Sequence, residues 1–273
     1  GYNFETFVCL TRDQALKYRI SGYYDYKPLA KKYGIEIYIP ETYSLSNKKD
    51  QEFFKKKKFD LLVQGGWQRL FPEKILKSIK IGALGLHGSA DFLPKGRGRS
   101  PMNWSLIEGR RRFLMHLFVI KPGCDDGDII SILDFDINEF DDIETMYFKY
   151  SLVYKNLLIE TLPKVLSNNF KTIPQVGEAT YFPKRSEADG IIDWEKMDVW
   201  EIYNFVRAQT KPYPGAYAYV DKKKIRIWRC RPFDTRLKFH NQKYGAVVER
   251  FKEKLLVNCR GGLLLIDEWE TYS

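Results

Sequence analysis

The sequence predicts an α/β fold, in which helices flank a mostly parallel sheet, followed by a small antiparallel β domain. Apolar strand-like runs alternate with helix-like segments up to about residue 170, and this alternation is typical of a layered α/β sheet. Beyond Pro183 the runs become short and alternating, as they are in hairpins. The chain has 273 residues, 44% of them hydrophobic, which is enough for two domains with buried cores. We predict one domain over residues 1–184 and a second, β-rich domain over residues 185–273.

Each element of the first domain follows from a local pattern. Residues 35–39 alternate apolar and polar side chains, as a strand does. The helix at 28–33 is predicted to end at Gly34, because glycine adopts the positive φ of a helix C-terminus without steric cost. The longest helix is predicted over 141–166, with Asp141 and Glu144 as its capping pair. The remaining strands are predicted at 7–10, 59–63, 83–87, 113–120 and 129–132, and the remaining helices at 51–58, 73–78 and 102–108.

The second domain is predicted to contain one helix over 199–209 and a small antiparallel sheet. A doubly wound sheet usually opens with an apolar strand and a glycine turn. Residues 1–4 lead directly into what looks like the second strand, so we expect the N-terminal strand to be missing from this sequence. The strands of the second domain are predicted at 216–220, 224–229, 245–250, 254–259 and 263–266.

The charge balance favours phosphate-bearing partners. The chain has 45 Lys and Arg against 35 Asp and Glu, a net charge of +10, and a basic surface attracts nucleotides, nucleic acids and anionic cofactors. No run approaches the roughly 20 apolar residues of a membrane span, and no secretory signal is recognisable. The four cysteines show neither a CxxC pair nor zinc spacing. We therefore expect a reduced, cytoplasmic protein without disulfides and without a membrane partner.

The histidines differ in their surroundings. His87 ends a predicted buried strand and is followed by Gly88 and Ser89, and ligands of open α/β sheets bind at the carboxyl ends of strands. His116 lies inside an apolar strand, which favours a buried residue that supports a neighbouring group. His240 lies in a polar loop and predicts nothing. His87 is therefore the candidate for chemistry.

An acidic segment follows the predicted strand at 113–120. Asp125, Asp126 and Asp128 fall within four residues, but the 12-residue spacing and the terminal Glu of a calcium loop are absent. Three interpretations remain: a metal site, an acidic turn, or a carboxylate beside a catalytic histidine. In the third, the carboxylate holds the imidazole in position and raises its proton affinity.

A basic, glycine-containing loop lies between His87 and the helix predicted at 102–108. Lys95, Arg97 and Arg99 alternate with Gly96 and Gly98. Cations with glycines that permit close backbone approach suit a phosphate or another polar ligand. Taken alone, a solvated loop explains the same pattern equally well.

The order of these features resembles the N10-formyltetrahydrofolate-dependent formyltransferases, the family of methionyl-tRNA formyltransferase and the sugar N-formyltransferases. The resemblance extends over about residues 7–230 and implies a Rossmann-like sheet. The motifs that carry it are His-Gly-Ser at 87–89, Leu-Pro-x-x-Arg-Gly at 93–98, Pro-Met-Asn-Trp at 101–104, Asp-x-Gly-Asp at 125–128, Gly-Trp-Gln-Arg-Leu-Phe-Pro at 66–72, Asp-Gly-Ile-Ile-Asp-Trp at 189–194 and Pro-Tyr-Pro-Gly-Ala at 212–216.

The resemblance assigns catalytic roles and exposes two departures. His87 matches the family histidine and Asp125 the family aspartate, whereas Gly85 stands where the family has asparagine. Loss of such an oxyanion donor costs roughly 3–4 kcal/mol, so either a backbone N–H, a water or Asn103 replaces it, or this chain is an impaired or variant member. The second departure is the additional length at residues 90–92.

The resemblance also implies the ligands. N10-formyltetrahydrofolate is the expected cofactor, and no metal is required. His87 would accept a proton from the attacking amine or stabilise developing charge, and Asp125 would orient His87. The cofactor-binding residues implied are Gly66, Trp67, Arg69, Leu70, Leu117, Cys124, Asp125 and Asp128, and the substrate-binding residues are Ser89, Lys95, Gly96, Arg97, Gly98 and Arg99.

The expected acceptor is the amine of a nucleotide-linked amino-deoxy sugar, as used for bacterial surface glycans such as lipopolysaccharide or pseudaminic-acid-type sugars. Methionyl-tRNA is the alternative acceptor. A homodimer through the C-terminal sheet is a further expectation.

A third interpretation is a non-catalytic, basic nucleic-acid-binding module. Lys222, Lys223, Lys224, Arg226, Arg229 and Arg231 alternate with Ile225, Ile227 and Trp228, and a basic strand interleaved with aromatics can bind single strands. An exposed polar face of a hairpin explains the pattern as well and is favoured, so nucleic acid is not the expected partner.

Overall fold

The structure is a computed structural model that describes residues 4–20, 23–220 and 222–271. The chain divides into two compact units. The first contains Gly1–Gly85 and Val119–Gly127, and the second contains Leu86–Phe118 and Asp128–Ser273. The predicted domain boundary at residue 184 lies inside the second unit and stays a prediction about the sequence domains.

The first unit is an α/β layer with parallel strand pairs. Strand β1 (Thr6–Val8) pairs in parallel with β2 (Glu36–Tyr38), and β3 (Leu61–Val63) pairs in parallel with the first residues of β4 (Gly82–Ser89). Leu45, Phe54, Phe71, Ile75 and Ile79 form its buried core. The helices are α1 (Arg12–Lys17), α2 (Lys27–Tyr33), α3 (Lys48–Lys57) and α4 (Glu73–Leu76).

Caps decide where the helices of this unit begin and end. Helix α2 ends as predicted, because Gly34 takes a φ of 65°. Helix α1 was not predicted, although the Thr11 side chain accepts from Gln14 N and the Gln14 side chain accepts from Thr11 N. Helix α3 begins three residues before the predicted start, because Asn47 caps it by accepting the Asp50 N–H. Side-chain caps of this kind supply partners for orphan N–H groups.

The α/β part of the second unit contains antiparallel pairing. Strand β4 is the sheet neighbour of β6 (Arg112–Val119), and β6 pairs antiparallel with β7 (Ile129–Asp136). The predicted sheet is therefore confirmed as α/β, with parallel pairs in the first unit and an antiparallel pair here. The other elements are β5 (Arg97–Gly98), α5 (Pro101–Ile107), α6 (Ile143–Leu166) and β8 (Tyr181–Phe182).

The predicted cap of the long helix is wrong by one residue. Asp142, not Asp141, is the N-cap, and its carboxylate accepts the Thr145 N–H at 2.9 Å. Asp141 is buried and accepts hydrogen bonds from Asn138 N at 2.8 Å and Lys149 Nζ at 2.6 Å. Two adjacent aspartates both fit a capping pattern, and tertiary burial of Asp141 decides between them.

The C-terminal part confirms the predicted antiparallel sheet. Its five strands are ordered β11-β12-β13-β10-β9. Its core includes Val206 of helix α7 (Val199–Arg207) and Ile227, Val257 and Leu264 of the sheet. The strands are β9 (Ala216–Val220), β10 (Lys223–Asp234), β11 (Val247–Phe251), β12 (Lys254–Cys259) and β13 (Gly262–Thr271).

Within the described ranges, none of the helices combines the length and the apolar character that crossing a membrane requires.

Candidate functional site

Strand β4 carries the predicted catalytic histidine to its carboxyl end. Seven of its eight residues are buried, and His87 itself is only 8% exposed. The imidazole Nε2 lies 2.8 Å from the carbonyl oxygen of Gly96. A carbonyl oxygen only accepts hydrogen bonds, so Nε2 carries the proton and donates it.

His116 supports this arrangement from strand β6. It is fully buried, and burial lowers the pKa of His116 to about 4. Its Nδ1 lies 3.3 Å from the carbonyl oxygen of His87, and its Nε2 lies 3.5 Å from the N–H of Leu93. A neutral ring that donates through Nδ1 and accepts through Nε2 satisfies both groups. The predicted supporting role of His116 agrees with these contacts.

The loop after His87 passes so close to strand β4 that only glycine fits at residue 96. Gly96 is buried with a φ of +79°, and a Cβ atom there would overlap the Ser89 hydroxyl. Ser89 Oγ donates to the Lys95 carbonyl oxygen at 2.9 Å. A Cβ at Gly98 would lie 2.6 Å from the carbonyl oxygen of Phe182. The predicted substrate residues Ser89, Gly96 and Gly98 are therefore held together by close backbone packing.

A distant segment, residues 175–182, orders the basic loop. Strand β5 pairs in parallel with β8, and Arg99 N donates to the Phe182 carbonyl oxygen at 3.0 Å. The Arg97 guanidinium donates to Gln175 Oε1 at 2.6 Å and to the Tyr181 hydroxyl at 3.1 Å. The loop is thus an ordered part of the unit, whereas the sequence also allowed a solvated loop.

The Pro-Met-Asn-Trp motif packs against the chain that leads into the C-terminal sheet. Asn103 is buried, and its Nδ2 donates to the Ala208 carbonyl oxygen at 2.7 Å. The Trp104 ring stacks on Phe182 with ring centroids 5.6 Å apart. Trp104 Nε1 donates to the Pro183 carbonyl oxygen at 3.2 Å. These contacts give Asn103 a packing role, and its predicted service as a substitute oxyanion donor stays untested.

In the first unit, the loop that follows β3 is built on Tyr43. The Tyr43 hydroxyl accepts from Gln68 N at 2.9 Å, and its ring meets Trp67 edge to face at 4.7 Å. The Arg69 guanidinium lies 4.6 Å from the centre of the Tyr43 ring, a cation–π contact. Leu70 is 57% exposed. The loop presents apolar surface beside a cation.

The acidic segment after β6 is a tight turn. Asp125 has a φ of 51°, in the left-handed region, and Cys124 Sγ donates to Asp125 Oδ2 at 3.3 Å. A Cβ atom at Gly123 would overlap the Asp126 carboxylate. In the part of the chain that the structure describes, no cluster of three His, Cys, Asp or Glu side chains could hold a metal ion.

Comparisons with known proteins decide the family. Residues 25–162 match the family model described as formyl transferase, and residues 184–272 match the model of the formyl transferase C-terminal domain. The chain belongs to the formyltransferase family.

Two proteins to which this chain is similar in sequence have different names. It is 34% identical to the bifunctional polymyxin resistance protein ArnA of Wigglesworthia glossinidia brevipalpis, over 84% of this chain and 34% of that protein. It is 35% identical to methionyl-tRNA formyltransferase of Enterococcus faecalis, over 76% of this chain and 64% of that protein. The chain thus spans less than two thirds of either relative.

Solved structures share the fold of this formyltransferase chain. HypX from Aquifex aeolicus superposes with a TM-score of 0.69 at 21% identity, over 98% of this chain and 46% of HypX. An N-formyltransferase from Helicobacter canadensis, in complex with folinic acid and dTDP-3-aminofucose, superposes with a TM-score of 0.61 at 17% identity, over 99% of this chain and all of that one.

The two compact units divide the predicted formyltransferase site. His87, Asn103, Leu117, Asp128 and the basic loop belong to the second unit. Gly85, Asp125, Cys124 and the loop at 66–70 belong to the first. Within the second unit His87 and Gly96 are in contact, as are Ser89 and Lys95. The pairing of His87 with Asp125 stays a prediction.

Sequence reasoning missed the residues that hold the two loops. Thr180, Gln175 and Tyr181 contact the basic loop, and Tyr43 supports the loop at 66–72. Thr180 is 84 positions from Gly96, and no local periodicity links them. A short extended Thr-Tyr-Phe run at 180–182 was the only available signal.

The two C-terminal motifs meet each other. A Cβ atom at Gly190 would lie 3.0 Å from the Gly215 carbonyl oxygen, and Ile192 N donates to the Tyr217 carbonyl oxygen at 2.8 Å. Gly215 has a φ of +86°, and a Cβ there would lie 2.8 Å from Arg226 Cγ. The glycines of both motifs therefore serve the packing of the C-terminal part.

Proposed function

We propose that this chain transfers the formyl group of N10-formyltetrahydrofolate to the amine of a nucleotide-linked amino-deoxy sugar in the synthesis of a bacterial surface glycan. One observation carries the catalytic part: a buried imidazole lies near the carboxyl end of strand β4, with its Nε2 2.8 Å from the Gly96 carbonyl oxygen, beside an ordered basic loop. Membership of the formyltransferase family supplies the reaction class.

The loop at 66–72 fits a folate. Trp67 Nε1 is buried without a hydrogen-bond partner among the described residues, and a buried N–H without a partner is costly. Leu70 offers exposed apolar surface, and Arg69 offers a cation for an anionic tail. Gly66, Trp67, Arg69 and Leu70 would hold the cofactor with Cys124, Asp125, Asp128 and Leu117. When bound, N10-formyltetrahydrofolate supplies the activated one-carbon group.

His87 would act as the general base. With Nε2–H donated to Gly96, the neutral ring accepts a proton at Nδ1, and the proton lost by the attacking amine goes there. Asp125 would stabilise the imidazolium and orient it. A carboxylate next to the imidazolium favours the positively charged form of the ring, and more strongly where water is excluded. Gly85 contributes no side-chain donor, so developing oxygen charge would rest on a backbone N–H, a water or Asn103.

The basic loop would bind the sugar diphosphate. Gln175 and Tyr181 hold Arg97 in place before the ligand arrives, and a guanidinium can still offer further N–H groups to phosphate oxygens. Lys95 and Arg99 would add charge, and Ser89, Gly96 and Gly98 would let the ligand approach the backbone. The support for a sugar comes from the fold-level likeness to the Helicobacter canadensis enzyme, whose complex holds dTDP-3-aminofucose.

A second candidate function is formylation of methionyl-tRNA. The 35% identity to the Enterococcus faecalis methionyl-tRNA formyltransferase favours it, since that relative is nearer in sequence than the sugar enzyme at 17%.

The deciding experiment offers N10-formyltetrahydrofolate with a panel of nucleotide amino sugars and, separately, with initiator methionyl-tRNA. Mass spectrometry detects the gain of one formyl group. We expect formylation of at least one nucleotide amino sugar and none with the His87→Gln variant. Formylation of the tRNA alone would replace the sugar by the second candidate, and no transfer to any acceptor would overturn the proposed function.

A further inference from the structure

Thr180 makes three hydrogen bonds to the basic loop. Its N–H donates to the Pro94 carbonyl oxygen at 3.3 Å, and its carbonyl oxygen accepts from Arg97 N at 2.9 Å. Its Oγ1 accepts from Gly96 N at 2.8 Å. Only the third bond uses the side chain, so a change of side chain removes one contact and leaves the two main-chain bonds in place.

These bonds surround the peptide group that contacts the catalytic histidine. The Gly96 carbonyl, which accepts from His87 Nε2 at 2.8 Å, shares its peptide plane with the Arg97 N–H. Thr180 therefore holds that plane through its carbonyl oxygen and holds the preceding N–H, that of Gly96, through its hydroxyl. Fixing both sides of Gly96 fixes the direction of its carbonyl.

The packing around Gly96 leaves the carbonyl little room to turn. Gly96 is buried, and Ser89 occupies the space where a side chain would be. Ser89 in turn donates to the Lys95 carbonyl oxygen. The His87 carbonyl oxygen in turn accepts from His116 Nδ1 at 3.3 Å. These contacts fix both the His87 imidazole and the Gly96 carbonyl that accepts its hydrogen bond. Thr180 contributes to them from a segment 84 positions away from Gly96 along the chain.

We propose that Thr180 is a positioning residue for His87. By fixing the Gly96 carbonyl it keeps the hydrogen-bond acceptor in line with His87 Nε2 and so favours the Nε2–H form of the ring. The kinetic consequence rests on the proposed function, whereas the effect on the tautomer does not. This separates a failure of the inference from a failure of the proposed function.

The first test is an NMR measurement on the whole chain. Nitrogen-15 shifts and couplings of the imidazoles report which nitrogen carries the proton. The chain has three histidines, so the His87→Gln variant assigns the signal. We expect Nε2–H in the wild type, a tautomer ratio reduced about fivefold in Thr180→Val through the loss of one hydrogen bond, and the wild-type ratio in Thr180→Ser. Tyr181→Phe, which removes a bond to Arg97 from the same strand, should leave the ratio unchanged.

The second test is kinetic. Thr180→Val should lower kcat about fivefold with little change in KM for either ligand, and Thr180→Ser should restore kcat. A wild-type ring protonated on Nδ1, or a Thr180→Val ratio equal to that of the wild type, would overturn the inference. A tautomer shift in a chain that transfers no formyl group would uphold the positioning role and sink the proposed function instead.

Discussion

Two basic regions of the second unit hold their arginines in different ways. On strand β10, Arg229 Nη2 lies 2.8 Å from Glu268 Oε1, and Arg231 Nη2 lies 3.5 Å from Asp267 Oδ1, both on the neighbouring strand β13. In the loop, Arg97 contacts Gln175 and Tyr181, which are neutral. Among the described residues, no carboxylate lies within ion-pair distance of Arg97.

The difference shows that positive charge in a sequence does not reveal which arginines are paired with a carboxylate. A carboxylate partner neutralises the arginine, whereas an amide or a hydroxyl orients the guanidinium and leaves its charge for a ligand. Lys224 and Arg226 of strand β10 also pair with a carboxylate, that of Glu187. These pairs favour the exposed-hairpin interpretation of the strand over the nucleic-acid-binding module.

The largest effect is expected at Gly96, which precedes Arg97 and whose carbonyl accepts the hydrogen bond of His87. Gly96→Ala would force the loop away from Ser89, and a displacement of about 1 Å from the reacting groups costs about 100-fold in rate. We expect kcat to fall by about that factor. Gly177→Ala is the matched control, because Gly177 also has a positive φ of +108° but open space around its Cβ position. A similar loss in both variants would show that backbone strain, not crowding at Ser89, matters.

The second largest effect is expected at Arg97 and tests the comparison between the basic loop and strand β10. Arg97→Ala would remove the proposed charge-assisted contact to the diphosphate, worth about 1.5–3 kcal/mol, so KM for the proposed nucleotide sugar should rise by about tenfold or more. Arg229→Ala should leave KM unchanged. Steady-state kinetics at fixed ionic strength measure both. Equal effects at the two positions would break the distinction between the two regions.

His116 extends the comparison to a buried group that hydrogen-bonds to the backbone of His87 and Leu93. Burial lowers its pKa to about 4, below the ordinary value near 6.5. The unfolded chain therefore binds a proton between these values while the folded chain does not, and the free energy of unfolding falls as pH falls from about 6.5 to about 4.

We expect His116 to contribute up to about 3 kcal/mol to this loss, measured by denaturant unfolding at several pH values. His116→Gln should flatten the profile across that window, while His240→Gln, at an exposed position, should not. A profile unchanged by His116→Gln would assign the pH dependence to other groups.

The smallest effect is expected on strand β10. Arg229 and Glu268 are both more than half exposed, so Arg229→Ala should lower the free energy of unfolding by about 0–1 kcal/mol, less at high salt. Filter binding of single-stranded RNA should be weak and unaffected by the change. A steep salt dependence that Arg229→Ala reduces would favour the nucleic-acid-binding module.

The sequence predicted those parts of the molecule that depend on near neighbours. The strand that carries His87 was predicted from its apolar run, and the end of helix α2 from Gly34. The C-terminal sheet was predicted from short alternating segments and is confirmed. Where two local signals competed, as at Asp141 and Asp142, local reasoning chose the wrong residue.

The holding residues of the candidate site were not predictable in this way. Thr180 meets Gly96 across 84 positions, and Asn103 meets Ala208 across 105. Such pairs become neighbours only when the core has formed, and neither partner carries a local periodicity that announces the other.

The sequence by itself determined which residue types stand at the ends of strands and turns, because caps, glycine turns and alternation act over a few residues. Tertiary structure decided which nitrogen of His87 donates, which aspartate caps the long helix and which arginines are neutralised. Each of these depends on contacts and burial that arise only when the chain packs, and no local pattern of residue types decides them.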